Sequence, residues 1–202
     1  MGATLDSLFY GFDTALYNVI WHLQNPATIF IADVCQQMGN MRAYIIYGVL
    51  SLILIIPKKT RKYGVALFIA FAAGTLLVNY GIKPAIDRAR PYITLKDTPF
   101  WDVFNTYWTA AGAHLESDPS FPSGHTSTNF EMFTALTGML RIDGHKWAWF
   151  FMIIPIIVAI SRIIRCVHYP SDVIAGMICG LITGLLGIGI SYLIFCRKKK
   201  TA

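Results

Sequence analysis

Apolar residues along this chain gather into long windows instead of alternating with polar ones. Five windows come close to the roughly 20 residues that a helix needs to cross a bilayer core. They are Met41 to Pro57, Tyr63 to Ile82, Ser123 to Leu140, Trp147 to Ile164 and Val173 to Phe195. The N-terminal segment "LDSLFYGFDTALYNVIWHLQNPATIFIADVCQQMGN" keeps a helical rhythm but interrupts it with Asp13, His22, Asn25-Pro26 and Asp33. That rhythm predicts two amphipathic helices lying on the membrane, with a steeply tilted sixth span as the alternative. The segment lacks the basic start and small-residue cleavage site of a signal peptide and reads as part of the mature protein. The expected architecture is all-α: a polytopic membrane helix bundle of about five transmembrane helices, or six, plus N-terminal interfacial helices. One membrane-embedded domain covers residues 1–202, with interfacial helices in 1–40, the transmembrane core in 41–197 and a basic tail in 198–202.

Composition agrees with this pattern. With 55% hydrophobic and 14% charged residues and a mean hydropathy of +0.51, the chain is not a water-soluble globule. Charge then sets an orientation. Threading five spans places Lys58, Lys59, Arg61, Lys62, Arg141, Lys146, Arg197, Lys198, Lys199 and Lys200 on one side, ten of the seventeen basic residues. The positive-inside rule makes that side, with the C-terminus, cytoplasmic and the N-terminus extracytoplasmic. The outer side holds Arg42, Lys83, Arg88, Arg90, Lys96, Arg162 and Arg165, an excess that needs another reason. Of these, Arg88 and Arg165 are expected to face headgroups, with Arg165 also placed to gather anionic substrate. Cys35, Cys166, Cys179 and Cys196 have no metal-type or CxxC spacing and read as packing residues.

The outer ends of the spans carry matching chemistry. The second window runs into "KPAIDRARPY" with Lys83 and Arg90, and Pro91 is expected to close it. The third begins at Ser123-Gly124-His125, and the fourth ends in "SRIIRCVHYPSD" with Arg162, His168 and Asp172. Lys83, Arg90 and Arg162 offer charge and directed donors, arginine in a two-pronged grip on phosphate oxygens. Ser123, Gly124 and His125 sit at a helix N-terminus, where free N–H groups and the helix dipole favour an anion. His168, four residues before Asp172, can share a helical face with it, so the carboxylate holds one ring nitrogen and the other attacks phosphorus. His125 is then the general acid. Three cations and a helix terminus suffice to stabilise a transferring phosphoryl group, so no cofactor or metal is expected.

Taken singly, these residues have plainer explanations as snorkelling anchors, cap residues or half of a metal site. Their order and spacing change that. Lys83 followed after six residues by Arg90-Pro91, then Pro122-Ser123-Gly124-His125, then Ser161-Arg162 followed after five residues by His168 and after three more by Asp172, resembles the three-part signature of the type-2 phosphatidic acid phosphatase superfamily. The resemblance implies a helical bundle and a covalent phosphohistidine on His168, oriented by Asp172. It also implies leaving-group protonation by His125 and phosphate binding by Lys83, Arg90, Ser123, Gly124 and Arg162. Membrane members often have six spans, so an interfacial N-terminal segment is a departure.

The expected partner is a phosphorylated lipid within the bilayer, and no nucleic acid. Undecaprenyl diphosphate, the cell-wall carrier lipid, is the first expected substrate, with phosphatidate and phosphatidylglycerophosphate as alternatives. A non-catalytic lipid-phosphate carrier or sensor is the alternative of another class, and the presence of both His125 and His168 argues against it. Glu131, a carboxylate inside a span, is read as a structural hydrogen-bond partner ahead of a catalytic one. His22, His114 and His145 are given no role, and Trp101, Trp108, Trp147 and Trp149 are placed in interface belts.

Overall fold

The computed structural model describes residues 1–197; the basic residues Lys198, Lys199 and Lys200 of the expected tail lie outside the described residues. The first two helices, α1 (Gly2–Trp21) and α2 (Pro26–Gln36), are separated where Asn25-Pro26 interrupts the apolar rhythm. Asn25 accepts from the N–H groups of Ala27 and Thr28, and Thr28 Oγ1 accepts from the Asn25 N–H, a reciprocal cap with Pro26 in the first turn. A second break, capped by Asn40, starts α3 (Met41–Ile55).

The helix α4 (Arg61–Thr75) continues through a π-helical stretch, Leu76–Ile82, into the short α5 (Lys83–Ile86). Pro84 lacks an N–H and crowds the preceding turn, and the looser π winding accommodates it, with the Lys83 N–H reaching Val78. Asp87, in the left-handed region at φ 49°, ends this run. Pro91 does not close the span as expected; it opens α6 (Pro91–Thr94), which leads through Leu95–Asp97 to α7 (Trp101–Ala110). The bundle is completed by α8 (Gly124–Ile142), a 3-10 turn Lys146–Met152 running into α9 (Ile153–Ile164), and α10 (Pro170–Phe195).

Among the described residues, three helical runs, Arg61–Asp97, Lys146–Ile164 and Pro170–Phe195, are long and apolar enough to cross a membrane. The pair α2 and α3, bent by 55°, makes a fourth if it counts as one span. The expected span at Ser123 to Leu140 is present as α8 but is too polar to qualify. It is the central helix of the bundle, with Thr126, Ser127, Thr128, Asn129 and Glu131 buried against its neighbours. Such a helix needs little lipid-facing apolar surface.

Close packing of α4, α8 and α10 depends on glycine. A Cβ on Gly176 would lie 2.5 Å from the Ser123 carbonyl oxygen, one on Gly180 2.4 Å from that of Ser127, and one on Gly187 2.3 Å from that of Ala66. Small residues let membrane helices approach until their backbones touch.

The N-terminal helices pack on the bundle and not only on lipid. Tyr17 and Trp21 of α1 stack on each other at 4.7 Å, and Trp21 stacks on Tyr107 of α7 at 4.4 Å. Trp101 and Trp108 pack around this aromatic cluster instead of lining an interface belt, whereas Trp147 and Trp149 are exposed. At the opposite end of the bundle, Lys62 and Tyr63 bond Asp143, and Ser191 Oγ donates to the Lys62 carbonyl at 2.6 Å.

Candidate active site

Lys83, Arg90, Gly124, His125, Arg162 and His168 line one cavity of about 740 Å³ at the end of the bundle. Four separate segments deliver them: the stretch from the start of α5 to the cap of α6, the start of α8, the end of α9 and the turn before α10. Ser123 and Asp172, also singled out from the sequence, stand behind the cavity wall. The Ser123 N–H donates to the Asp172 carbonyl at 3.0 Å and so ties the starts of α8 and α10 together. The Ser123 hydroxyl accepts from Thr126 Oγ1 at 3.0 Å. The first N–H groups of α8, at Gly124 and His125, have no intrahelical acceptor and lie at the cavity.

His168 is 2% exposed and lies in the turn between α9 and α10. Its carbonyl accepts from Tyr17 Oη at 2.7 Å, so α1 fixes the backbone that carries the ring. Arg90 Nη1 lies 3.0 Å from Nε2 and 3.4 Å from Nδ1. Nδ1 also lies 3.4 Å from Ser120 Oγ and 3.6 Å from Asp172 Oδ2. Burial, then Arg90, Arg162 and Lys83, hold the imidazole well below its ordinary value, so the ring is neutral.

The expected shared helical face of His168 and Asp172 is replaced by a different arrangement. His168 precedes α10, and Asp172 is in its first turn, where Oδ2 accepts from the Tyr169 N–H at 3.0 Å. Ser120 Oγ donates to the same oxygen at 2.5 Å and lies beside the carboxylate and the ring, near both. Asp172 Oδ1 pairs with Arg88 Nη1 at 2.6 Å. Arg88 in turn bonds Asp6 at 2.8 Å and Asp13 at 3.0 Å, both from α1, and its guanidinium lies 3.7 Å from the centre of the Tyr169 ring.

Arg88 is therefore not turned to headgroups; it is 1% exposed at the centre of a buried charge network. Arg165 is likewise buried and paired with Asp33 of α2. The sequence carried a partial signal for both: Asp6, Asp13 and Asp33 interrupt apolar helices, and buried charge demands a partner. Nothing in the sequence marked Ser120.

His125 packs its ring on Gly39, where a Cβ would lie 2.2 Å from the ring, and its Nε2 faces the Gln36 carbonyl oxygen at 3.1 Å. Arg162, fully buried, bonds Gln36 Oε1 and, at 3.1 Å, Glu116 Oε1. Lys83 pairs with Asp118 Oδ2, and Arg90 Nη2 with Asp118 Oδ1 at 2.6 Å. Burial opposes ionisation of Asp118, but Lys83 and Arg90 outweigh it and hold that carboxyl below its usual value. The segment between α7 and α8 thus supplies acidic partners, Glu116 and Asp118, for all three cations.

Comparison with known proteins adds the family. The profile of the PAP2 superfamily matches residues 59–195, more than half of the chain and the whole motif region. The chain belongs to the PAP2 superfamily. The undecaprenyl-diphosphatase of Sulfolobus acidocaldarius is 30% identical over 183 residues, covering 89% of this chain and 79% of that protein. The lipid A 1-phosphatase of Rhizobium etli is 35% identical over 121 residues, 58% of this chain and 45% of that one.

Among solved structures, the transmembrane phosphatidylglycerolphosphate phosphatase of Bacillus subtilis superposes with a TM-score of 0.70 at 22% identity, over 98% of this chain and 93% of that one. Aquifex aeolicus LpxE gives 0.64 at 24% identity, over 87% and 93%. These two likenesses establish the fold. The PAP2 chain is a membrane lipid phosphatase, a hydrolase of phosphate esters.

Proposed function

We propose that this PAP2 phosphatase removes the terminal phosphate of a lipid diphosphate at the extracytoplasmic face, with undecaprenyl diphosphate as its substrate. The observation that carries the reading is the buried His168 ring, its Nε2 3.0 Å from Arg90 Nη1, in a cavity that also contains Lys83, Arg162 and His125. Nε2 attacks the terminal phosphorus, and the bond from phosphorus to the bridging oxygen breaks. His125 protonates the departing lipid phosphate, for which its Nε2–H leaves the Gln36 carbonyl. Water, giving up a proton that returns to His125, then hydrolyses the phosphohistidine, releasing orthophosphate and restoring neutral His168.

Lys83, Arg90, Arg162 and the α8 N-terminus at Gly124 and His125 stabilise the charge on the transferring group, with no step assigned to a metal, while Ser123 ties that terminus to α10. Asp172, held by Arg88 and the Tyr169 N–H, keeps the Nδ1 side of His168 in place through Ser120. Beyond His125 the cavity continues to Asn40, Tyr44 and Asn79, neutral donors suited to the second phosphate of a diphosphate. The similarity to an archaeal undecaprenyl-diphosphatase over most of both chains supports this choice. An extracytoplasmic site is supported by Lys62, Arg141 and Lys146 lying near the opposite end of the bundle.

The test is phosphate release by purified protein in detergent with EDTA, from undecaprenyl diphosphate, phosphatidate and phosphatidylglycerophosphate. Wild type is expected to prefer the diphosphate and His168→Ala to release none. Preference for either monoester overturns the substrate, and loss of turnover with EDTA overturns the metal-free mechanism.

A further inference from the structure

Arg90 offers a guanidinium fork, and the fork is already taken. Nη2 donates to Asp118 Oδ1 at 2.6 Å and Nε to the Asp118 carbonyl at 2.9 Å, while Lys83 holds Oδ2. The two oxygens of the Asp118 carboxylate thus span the same two cations that a phosphoryl group would bridge. We propose that Asp118 is a substrate-selecting residue: an internal anion that a dianionic phosphoryl group displaces and that a singly charged phosphodiester does not. The inference rests on the phosphate-binding role of Lys83 and Arg90 proposed above.

Exposure supports a displaceable anion over a fixed structural one. The side chains of Lys83 and Arg90 are 9% and 4% exposed, whereas that of Asp118 is 50% exposed. The cations are therefore fixed in the floor of the cavity, and the carboxylate reaches down from a loop. Swinging it into water costs little desolvation, because half of it is already wet. Segment Leu115–Pro119 belongs to no helix, and it is pinned on its far side, where the Ser120 N–H donates to the Arg88 carbonyl at 2.8 Å.

Charge then sorts the ligands. A carboxylate and a phosphodiester each carry one negative charge, so exchanging one for the other gains no Coulomb energy while the incoming group must shed its water. A phosphomonoester or a terminal diphosphate brings up to two charges and three free oxygens and gains on both counts. Tethering strengthens the discrimination, since a linked competitor acts at an effective concentration on the order of millimolar. Bulk bilayer lipids present phosphodiesters at the mouth of any such site, and an empty cation pair would bind them.

Orthophosphate and dimethyl phosphate, a dianion near pH 7.5 and a monoanion, are suitable probes, titrated calorimetrically into wild-type and Asp118→Asn protein in detergent. Asp118→Asn is expected to bind orthophosphate roughly tenfold more tightly or better, and to show dimethyl phosphate binding that wild type lacks. Asp118→Glu, which keeps the charge, is expected to remain near wild type, and Asp118→Ser repeats the test should the asparagine variant fold poorly. Unchanged or weaker binding of both probes by the neutral variants shows that Asp118 orders the cations instead of competing with ligand, and overturns the proposal. Absence of orthophosphate binding in every protein overturns the phosphate-binding role of Lys83 and Arg90 itself.

Discussion

Arg88 and Asp172 form a fully buried ion pair, 2.6 Å from Nη1 to Oδ1, with neither side chain exposed. The pair joins the turn after α5 to the first turn of α10, and Asp13 and Asp6 extend it to α1. Replacing Arg88 by alanine leaves Asp172 and Asp13 buried without a counter-charge. The expected cost is about 3–5 kcal/mol. Arg88→Lys retains the charge but not the fork that serves three carboxylates, and should fall between wild type and alanine. Because Arg88 does not line the cavity, kcat should fall more than KM rises. Thermal unfolding in detergent with steady-state kinetics on the same samples checks both; an alanine variant as stable as wild type contradicts the network.

The neutral state of His168 gives a pH prediction. Its folded value lies well below the ordinary histidine value of about 6.5 because of burial and the nearby cations. Above that ordinary value neither folded nor unfolded chain binds the proton, and the contribution to stability is complete. As pH falls below it, the unfolded chain takes up a proton that the folded chain refuses, and stability declines until the folded value is reached. Nitrogen-15 spectra of histidine-labelled protein should show the His168 ring uncharged at pH 6. A ring that titrates at 6.5 or above rules out this account of the nucleophile.

Glycine contacts predict which changes reach the site. A Cβ at Gly176 meets the Ser123 carbonyl oxygen at 2.5 Å, beside the Ser123 to Asp172 bond that joins α8 to α10. Gly176→Ala must push the two helices apart, which shifts Asp172 and His168 against Gly124 and His125. A displacement near 1 Å is expected to lower kcat about 100-fold. Gly189 has nothing within 4 Å of its Cβ position, so Gly189→Ala should leave activity intact and add up to about 1 kcal/mol of helix propensity. Equal activity in the two variants would contradict the contact geometry.

The sequence made most of the cavity wall legible and little of what stands behind it. Lys83, Arg90, His125, Arg162 and His168 could be read because each sits at a helix end, where spacing along the chain nearly fixes position in space. Arg88 and Arg165 were misplaced because their partners lie on α1 and α2, more than a hundred residues away for Arg165, and no local pattern says that these helices fold over the site. Ser120, Glu116 and Asp118 come from a loop with no period to read. The polar span α8 was recognisable only as an apolar window with an odd carboxylate, since burial against other helices, and not lipid, decides its composition.

That carboxylate, Glu131, is fully buried, with Oε2 3.4 Å from Thr183 Oγ1 and Oε1 without a hydrogen-bond partner among the described residues. It fills the space left by Gly74, where a Cβ would lie 1.6 Å from Oε2. The side chain therefore packs between α4, α8 and α10 through its shape, and no cation pairs with it among the described residues. An amide of the same shape fits that space and cannot ionise, so it keeps the packing without an acidic proton. Glu131→Gln should keep lipid phosphatase activity within about twofold and unfold no earlier than wild type, and Glu131→Ala should lose about 2–5 kcal/mol by opening a cavity. Unfolding midpoints and turnover for both variants separate packing from chemistry: a glutamine variant that is stable but inactive would give Glu131 a role in proton transfer.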